Sequence, residues 1–224
     1  MRFVRGWPAL VVRDHLFVTD LHVGLERGLE DRGLSFPSRT GDMLKNVKVL
    51  MKKNKCGTLV VLGDLKHRVP GSSFQERAEV PWFLRQLLKD FKVVLIRGNH
   101  DSGLERMTNL KVVDDFSLDD FGFFHGHSWP SQNLVEKSRV LVIGHVHPML
   151  VFKDKLGVVH QKQCWVVAKL DEKRMVKRYG RNVDKLVVMP AFNPLVSGVH
   201  DARKALTGLV VSEERFLLDL TKIV

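Results

Sequence analysis

Short apolar runs of strand length recur along this chain. Each run is continuous and rich in β-branched residues, which is typical of strands that are buried on both faces. The predicted strands are Leu16–Thr19, Thr58–Leu62, Val93–Ile96, Gly122–Phe124, Val140–Ile143 and Lys185–Met189. A later run, Phe216–Leu220, is expected to close a sheet edge.

Helical periodicity fills the gaps between the early strands. Ser38 is a suitable N-cap for a helix that extends through Met51, where apolar residues recur at helical spacing. A second helix is predicted over Phe74–Leu88, with Pro81 expected to break or kink it.

The order of these elements predicts the fold class. Strands and helices alternate up to about residue 110, and strands then follow one another closely, which favours antiparallel or mixed pairing. No repeat, low-complexity tract or Gly/Ser linker interrupts the chain. We therefore expect a single domain over residues 1–224, of α/β (α+β) class, with two sheets packed face to face and helices outside.

The charge favours a polyanionic partner. Lys and Arg number 36 against 25 Asp and Glu, giving a formal net charge of +11. Nucleic acid or a nucleotide is the leading expectation, and a basic surface that only aids solubility is the alternative.

The remaining composition predicts a cytoplasmic protein. Cys56 and Cys164 lack CxxC spacing and are expected to be buried thiols of a reducing compartment. The N-terminus has no uninterrupted apolar segment, and no stretch is long and apolar enough to span a membrane.

Residues with metal-ligand chemistry follow five of the predicted strands. Because strand carboxyl ends in an α/β sheet face one crevice, these side chains are expected to meet. They are Asp20, His22, Asp64, Asn99, His100, Asp101, His125, His127, His145 and His147.

The spacing of these residues suits a metal site. In Asp20-x-His22 and His145-x-His147 the outer residues share one face of an extended chain. Imidazole with carboxylate suits Mn, Fe or Zn better than Mg or Ca. Each piece alone also fits an ordinary turn, but five pieces at strand ends make coincidence a poor explanation.

Five motifs resemble the signature of the calcineurin-like metallophosphoesterases, in the family's order. They are Asp20-x-His22, Gly63-Asp64, Gly98-Asn99-His100-Asp101, His125-Gly126 and Gly144-His145-x-His147. Within that superfamily the chain resembles archaeal SbcD-related (Icc-like) phosphoesterases and bacterial phosphoesterases associated with DNA ligase and helicase genes. The narrower likeness lies in Asp20-Leu-His-Val-Gly-Leu-Glu, Gly63-Asp-Leu-Lys-His67 and Pro190-Ala-Phe-Asn-Pro194.

The resemblance implies a four-layer αββα sandwich with two divalent ions, Mn²⁺ first and Fe or Zn as alternatives. The implied ligands are Asp20, His22 and His147 for one ion, Asn99, His125 and His145 for the other, and Asp64 bridging both. His100 would protonate the leaving oxygen. The expected reaction is hydrolysis of a phosphodiester. The attacking hydroxide is generated by two ions about 3.5–4 Å apart.

Other residues keep two interpretations each. Lys66, His67 and Arg68 either contact substrate phosphates or form a solvated loop, and His127 either lines the site or is a plain loop histidine. Asn193 either borders the site or shapes a turn. The basic cluster is either a solvated face or a nucleic-acid contact; it comprises Lys173, Arg174, Lys177, Arg178 and Arg181.

The expected function is a Mn²⁺-dependent phosphodiesterase acting on nucleic acid or nucleotides, with a nuclease included. Gly63-Asp-Leu-Lys-His-Arg and Gly98-Asn-His-Asp differ from the motifs of Ser/Thr phosphoprotein phosphatases, and the chain length leaves no room for a DNA-capping domain. One alternative is a phosphodiesterase for cyclic or modified nucleotides. The other is a non-catalytic metal-binding scaffold, which the presence of His100 disfavours.

Overall fold

The computed structural model describes residues 1–31, 33–34, 36–198, 206 and 209–223. In chain order its elements are β1 (Arg2–Phe3), β2 (Leu10–Val12), β3 (His15–Val18), α1 (Leu25–Glu30), α2 (Thr40–Lys53), β4 (Thr58–Leu62), α3 (Phe74–Leu88), β5 (Lys92–Ile96), a 3₁₀ helix (Leu104–Arg106), β6 (Val112–Val113), β7 (Asp115–Leu118), β8 (Phe121–Phe124), α4 (Gln132–Lys137), β9 (Val140–Ile143), β10 (Met149–Lys153), β11 (Val159–Leu170), α5 (Glu172–Tyr179), β12 (Lys185–Val188) and β13 (Val210–Leu217).

The strands form two mixed sheets that divide the chain at Asp114. Sheet 1 has the order β1-β2-β3-β4-β5-β6 and is parallel from β3 to β6. Sheet 2 has the order β10-β11-β12-β9-β8-β7, with β12, β9 and β8 parallel. Every described strand of sheet 1 therefore precedes Asp114 and every described strand of sheet 2 follows it.

Side-chain alternation along the strands produces the four layers. In β4, Val60 and Leu62 point into the core between the sheets, whereas Leu59 and Val61 pack beneath α2 and α3. On the outer face of sheet 2, helices α4 and α5 cover the apolar side chains. The rings of Phe17 and Phe123 stack between the sheets with centroids 3.9 Å apart. The predicted αββα arrangement of two mixed sheets flanked by helices is confirmed.

Helix α3 runs through Pro81 without a break, so of the break or kink expected from the sequence, the break is wrong. A proline inside a helix costs about 3 kcal/mol because it removes one hydrogen bond and crowds the preceding turn. Burial offsets this cost, since Val80, Phe83 and Leu87 pack fully against sheet 1. The Ser73–Glu76 capping box also fixes the helix start.

Helix α2 begins one residue later than predicted. Its N-cap is Arg39, which makes no side-chain cap. The hydroxyl of Ser38 instead donates to Glu79 at 2.9 Å and accepts a long 3.3 Å bond from the Thr40 amide. The Ser38 hydroxyl is therefore used mainly in a contact with α3.

The end of the described chain agrees in part with the predicted edge strand. β13 pairs with β11 on the edge opposite β12, but it covers Val210–Leu217 rather than Phe216–Leu220. Cys56 and Cys164 are buried and free, as predicted. None of the helices in the described ranges is long and apolar enough to cross a bilayer.

Candidate metal centre

The carboxyl ends of the parallel strands in both sheets bring the predicted ligands together. Sheet 1 supplies them after β3, β4 and β5, and sheet 2 supplies them after β8 and β9. In the described chain, three groups have ligand atoms that all lie within 4.8 Å of one another. These are Asp20, His22, Asp64 and His147; Asp64, His125 and His145; and His22, His67 and His100.

Asp64 belongs to two of these groups. Its Oδ2 lies 3.2 Å from His125 Nε2 and 3.6 Å from His22 Nε2, and the residue is 1% exposed. Its other oxygen, Oδ1, accepts a 2.8 Å hydrogen bond from the His100 amide. The carboxylate thus stands between histidines of the two sheets.

Asp20 is fixed as a carboxylate at the other side of the centre. Its Oδ1 lies 3.0 Å from His147 Nε2 and 3.9 Å from His125 Nε2. Its Oδ2 accepts hydrogen bonds from Thr19 Oγ1 at 2.8 Å and from the His145 amide at 3.1 Å. Asn99 Oδ1 lies 3.2 Å from His125 Nε2, which places the amide beside the group containing His145.

Left-handed backbone angles occur at five of these positions. The φ values are 55° for Asp20, 45° for His22, 53° for Asp64, 63° for His145 and 46° for His147. Such a conformation is uncommon outside glycine and costs of order 1–3 kcal/mol per residue. Its concentration here indicates a backbone that is strained in order to aim ligand atoms at one point.

Two glycines allow the ligand loops to touch. A Cβ atom on Gly98 would overlap with the amide nitrogen and Oδ1 of Asp64, and one on Gly144 would overlap with Thr19 Oγ1. Gly63 differs, because its φ of 83° also demands a residue without a side chain. The sequence predicted tight turns at all three; close approach is the physical reason at Gly98 and Gly144.

Gly98→Ala is therefore expected to displace Asp64 and to destabilise the protein by about 1–3 kcal/mol, the usual cost of overpacking. Gly41→Ala is the matched control, because Gly41 lies in the first turn of α2 and an added Cβ would meet nothing within 4 Å beyond its own helix backbone and chain neighbours. The control should be neutral or stabilising by up to about 1 kcal/mol. Urea unfolding and elemental metal analysis test both variants. Equal stability and metal content in the two variants would contradict the conclusion that close approach to Asp64 excludes a side chain at position 98.

Asp101 organises the site from beneath, a role that the sequence did not reveal. The carboxylate is 0% exposed and accepts hydrogen bonds from the amides of Asp64 at 2.9 Å, Leu65 at 3.0 Å and Gly98 at 2.8 Å. It therefore joins the loop after β4 to the loop after β5. The position of Asp101 directly after Asn99 and His100 in the Gly-Asn-His-Asp motif is the sequence signal that could have indicated this role.

His100 lies beside the candidate ligands and has a defined tautomer. Its Nδ1 donates to the backbone carbonyl of His67. Because a carbonyl only accepts, this contact places a proton on Nδ1 and directs Nε2 away from the loop. The His100 ring centroid is 4.8 Å from that of His22. Glu76 holds the loop in place, since its Oε1 accepts from the amides of His67, at 2.8 Å, and Arg68.

The four predicted substrate contacts have different environments. Lys66 is fully buried, and its Nζ donates to the carbonyls of Arg68 at 2.6 Å and Gly71 at 2.8 Å, so this ammonium braces the loop. His67 Nδ1 lies 3.3 Å from His22 Nδ1. His127 is exposed, with its ring centroid 5.4 Å from that of His125.

A cavity of about 180 Å³ opens beside His100 and contains the fourth predicted contact, Arg68, whose side chain is exposed. Its lining residues are Gly24, Arg27, Gly28, Asp31, His67, Arg68, Val69, Ser73 and His100. Arg68 next to a histidine pair suits a phosphate-bearing ligand, whereas the Arg27 guanidinium is already paired with Glu30 at 2.9 Å and Asp31 at 3.6 Å.

The segment that contains Asn193 supports the centre without entering it. Asn193 is fully buried, and its Nδ2 donates to the Leu21 carbonyl at 2.9 Å. Further along, the Ser197 carbonyl accepts from His147 Nδ1 at 3.1 Å. Both contacts hold candidate ligand residues or their neighbours in place, as hydrogen bonds behind the ligands do in metal sites.

The protonation states fit a metal-binding cluster. Burial lowers the pKa of His22 to about 3, and burial followed by the nearby His125 charge lowers the pKa of His145 to about 4. Both imidazoles are neutral, as metal ligands must be. Among the described residues, buried His22 Nε2 has no hydrogen-bond partner. An unsatisfied buried nitrogen that faces carboxylates is accounted for by a cation between them.

His125 carries a proton in the absence of metal. Burial by itself lowers its pKa, but the hydrogen bond to Asp64 and the charges of Asp20 and Asp64 outweigh it and raise the pKa to about 9. Since this pKa is above the unfolded value, the stabilisation is complete below about pH 6.5 and is lost as the pH rises through about 9.

Metal affinity is consequently expected to rise with pH up to about 9, with a proton released on binding at neutral pH. Calorimetric titration in two buffers of different ionisation enthalpy measures that proton. Melting curves in EDTA should show metal-free protein weakening between about pH 6.5 and 9. Metal affinity that is independent of pH would contradict this charge state.

Two packed mixed sheets with clustered carboxylates and histidines at their strand ends define the metallophosphoesterase class. The calcineurin-like phosphoesterase profile matches residues 15–168, and the chain belongs to this family. Membership implies phosphoester hydrolysis and divalent-metal binding, and the family resemblance seen in the sequence is confirmed. Comparison with curated protein sequences gave no match.

Among the solved structures, one with a TM-score above 0.5 shares the fold, and two others are less similar. The nuclease MPE of Pseudomonas putida is 22% identical with a TM-score of 0.59, covering 92% of this chain and 84% of that protein. The phosphoesterase Yfce of E. coli is 19% identical with a TM-score of 0.46, covering 94% and 96%. Zinc-bound Vps29 of Entamoeba histolytica is 14% identical with a TM-score of 0.33, covering 91% and 98%.

Proposed function

We propose that this protein is a dinuclear metal-dependent phosphodiesterase that acts on nucleic acid or nucleotides. The observation that carries the proposal is the position of Asp64, whose carboxylate is common to two separate ligand groups. Its Oδ2 lies near histidines of both groups, and a carboxylate oxygen in such a place can bridge two ions.

The donor set fits two ions. Asp20, His22 and His147 would hold the first, Asn99, His125 and His145 the second, with Asp64 shared. Mixed imidazole and carboxylate donors favour Mn²⁺, with Fe or Zn as alternatives. When bound, the ions would supply Lewis acidity and lower the pKa of a water molecule.

The chain's own residues would orient the substrate and handle the leaving group. His100 Nε2 is the proposed proton donor, because Nδ1 is already engaged by the His67 carbonyl. Arg68 lines the adjoining cavity and would receive a phosphate or its substituent. Lys66 would act indirectly by bracing the loop that carries His67 and Arg68.

The net charge of +11 and the motif differences from phosphoprotein phosphatases favour a nucleotide-containing diester. The Pseudomonas putida neighbour is a nuclease, and the proposal places this chain in the same reaction class.

The test compares protein stripped of metal and reloaded with Mn²⁺, Fe²⁺ or Zn²⁺. Substrates are bis(p-nitrophenyl) phosphate, p-nitrophenyl phosphate and labelled single-stranded DNA. We expect Mn²⁺ to restore diester cleavage best. Absence of hydrolysis with two ions bound per chain would establish a scaffold instead, and a preference for the monoester would overturn the phosphodiesterase assignment.

A further inference from the structure

The segment that leads out of the metal centre contacts the basic helix α5. His127 lies beside His125, with ring centroids 5.4 Å apart, and Trp129 follows two residues later, at most about 7 Å further along the chain. The hydroxyl of Tyr179, in the last turn of α5, donates to the Pro130 carbonyl at 3.1 Å, and Gln132 Nε2 donates to the Tyr179 carbonyl at 3.0 Å. The last turn of α5 is thereby tied to the edge of the site.

Trp129 forms an exposed aromatic surface at this junction. Its side chain is 39% exposed, and the Arg178 guanidinium lies over its ring, 3.9 Å from the centroid. Arg178 Nε also donates to the Tyr179 hydroxyl at 3.3 Å. The guanidinium thus holds the indole in place while part of the ring remains open to a ligand.

Cations continue from Trp129 along the outer face of α5. Lys173 and Lys177 are exposed, and within the described parts of the chain neither has an ion pair. Arg174 pairs with Asp171 at 3.6 Å, and Arg181 donates to the carbonyls of Asn182 and Glu136, so these two are partly engaged. An aromatic ring followed by unpaired cations matches the composition of single-strand binding grooves.

We propose that Trp129, Arg178, Lys177 and Lys173 form a binding surface for single-stranded nucleic acid that leads to the metal centre. The inference rests on the proposed phosphodiesterase function and specifies its substrate. A base stacks on the open part of the indole, and the following phosphates contact the α5 cations. An unpaired strand fits because a base inside a duplex has no free face for an indole.

Binding is measured by fluorescence anisotropy with metal-loaded protein and a phosphorothioate-linked oligothymidylate, which resists hydrolysis. Trp129→Ala is expected to weaken binding roughly 5- to 150-fold, which corresponds to about 1–3 kcal/mol for one stacked base. Trp129→Phe should restore most of it. A strand of the same length without bases should bind more weakly and should not respond to Trp129→Ala. An equal loss on both strands would overturn the stacking role.

Salt dependence tests the cations. The pair Lys173→Gln and Lys177→Gln should reduce the log–log salt slope by about 1.4, since each phosphate contact on a single strand contributes about 0.7. Lys52→Gln with Lys53→Gln removes the same charge from the last turn of α2, on the other outer face, and should leave the slope unchanged. Equal slopes for both double variants would overturn the α5 surface.

A chromogenic diester separates this inference from the proposed function. Its hydrolysis should be the same in wild type and in Trp129→Ala, because a small substrate does not reach α5. If metal-loaded wild-type protein does not cleave the diester, the proposed phosphodiesterase function is refuted. Normal diester cleavage without strand binding refutes the surface alone and favours the small-nucleotide phosphodiesterase. If an acidic peptide binds as tightly as the strand, the surface is not specific for single-stranded nucleic acid and this inference is also refuted.

Discussion

Asp64→Asn is expected to remove bound metal and to lower diester hydrolysis by at least about 10³-fold. A metal ion contributes several kcal/mol to the transition state, and each 1.36 kcal/mol is a factor of ten in rate. Asp64 faces both His125 and His22 with Oδ2 and accepts from the His100 amide with Oδ1. An asparagine has one oxygen, so its NH₂ group would have to replace one of these two oxygens, either facing the ions or meeting the His100 amide, and a donor suits neither place. Elemental analysis and a steady-state assay on the same sample measure both effects.

Asp42→Asn serves as the control for Asp64→Asn. Asp42 is exposed on α2, where it pairs with Arg39 at 3.5 Å, so the variant removes a carboxylate charge away from the strand ends. Metal content and rate should stay at the wild-type level. Two metals per chain and full activity in Asp64→Asn would disprove the bridging role.

His100→Ala is expected to slow hydrolysis roughly 10²- to 10⁴-fold for diesters with poor leaving groups, the usual contribution of a general acid. Good leaving groups need little protonation, so aryl esters should lose much less. The metals should remain bound, because the proposed ligands are other residues. A series of aryl and alkyl diesters, assayed with metal analysis, gives the dependence on leaving-group pKa.

His160→Ala is the matched control, since His160 is an exposed histidine of β11 paired with Asp154 at 2.9 Å. It should not alter any rate. A loss in His100→Ala that is the same for all leaving groups would rule out proton donation, and loss of metal would assign His100 to the ligands.

The position of the site was predictable because parallel strands place their carboxyl ends together. Buried runs such as Thr58–Leu62 and Val140–Ile143 reappear as β4 and β9, and the polar residues that follow them converge as expected. Period-two spacing alone does not describe the ligand pairs. Asp20 and His22 both have positive φ, so their backbone is not the extended chain that the spacing argument assumed.

Residues whose roles depend on burial were not predictable. Lys66 has the composition of a surface cation, but two carbonyls satisfy its ammonium in the interior. Asp101 accepts hydrogen bonds from backbone amides of two loops that are more than thirty residues apart in sequence. These contacts exist only after the strands have paired. Local propensity also failed at Pro81, where packing of α3 on sheet 1 outweighed the lost hydrogen bond.

The division of strands at Asp114 also divides the proposed ligands. The first half of the chain contributes Asp20, His22, Asp64 and Asn99, and the second half contributes His125, His145 and His147. Ions held as proposed would cross-link two consecutive halves, much as a disulfide joins distant segments. Removing them would loosen the docking of one half on the other, so metal occupancy would govern tertiary integrity as well as chemistry.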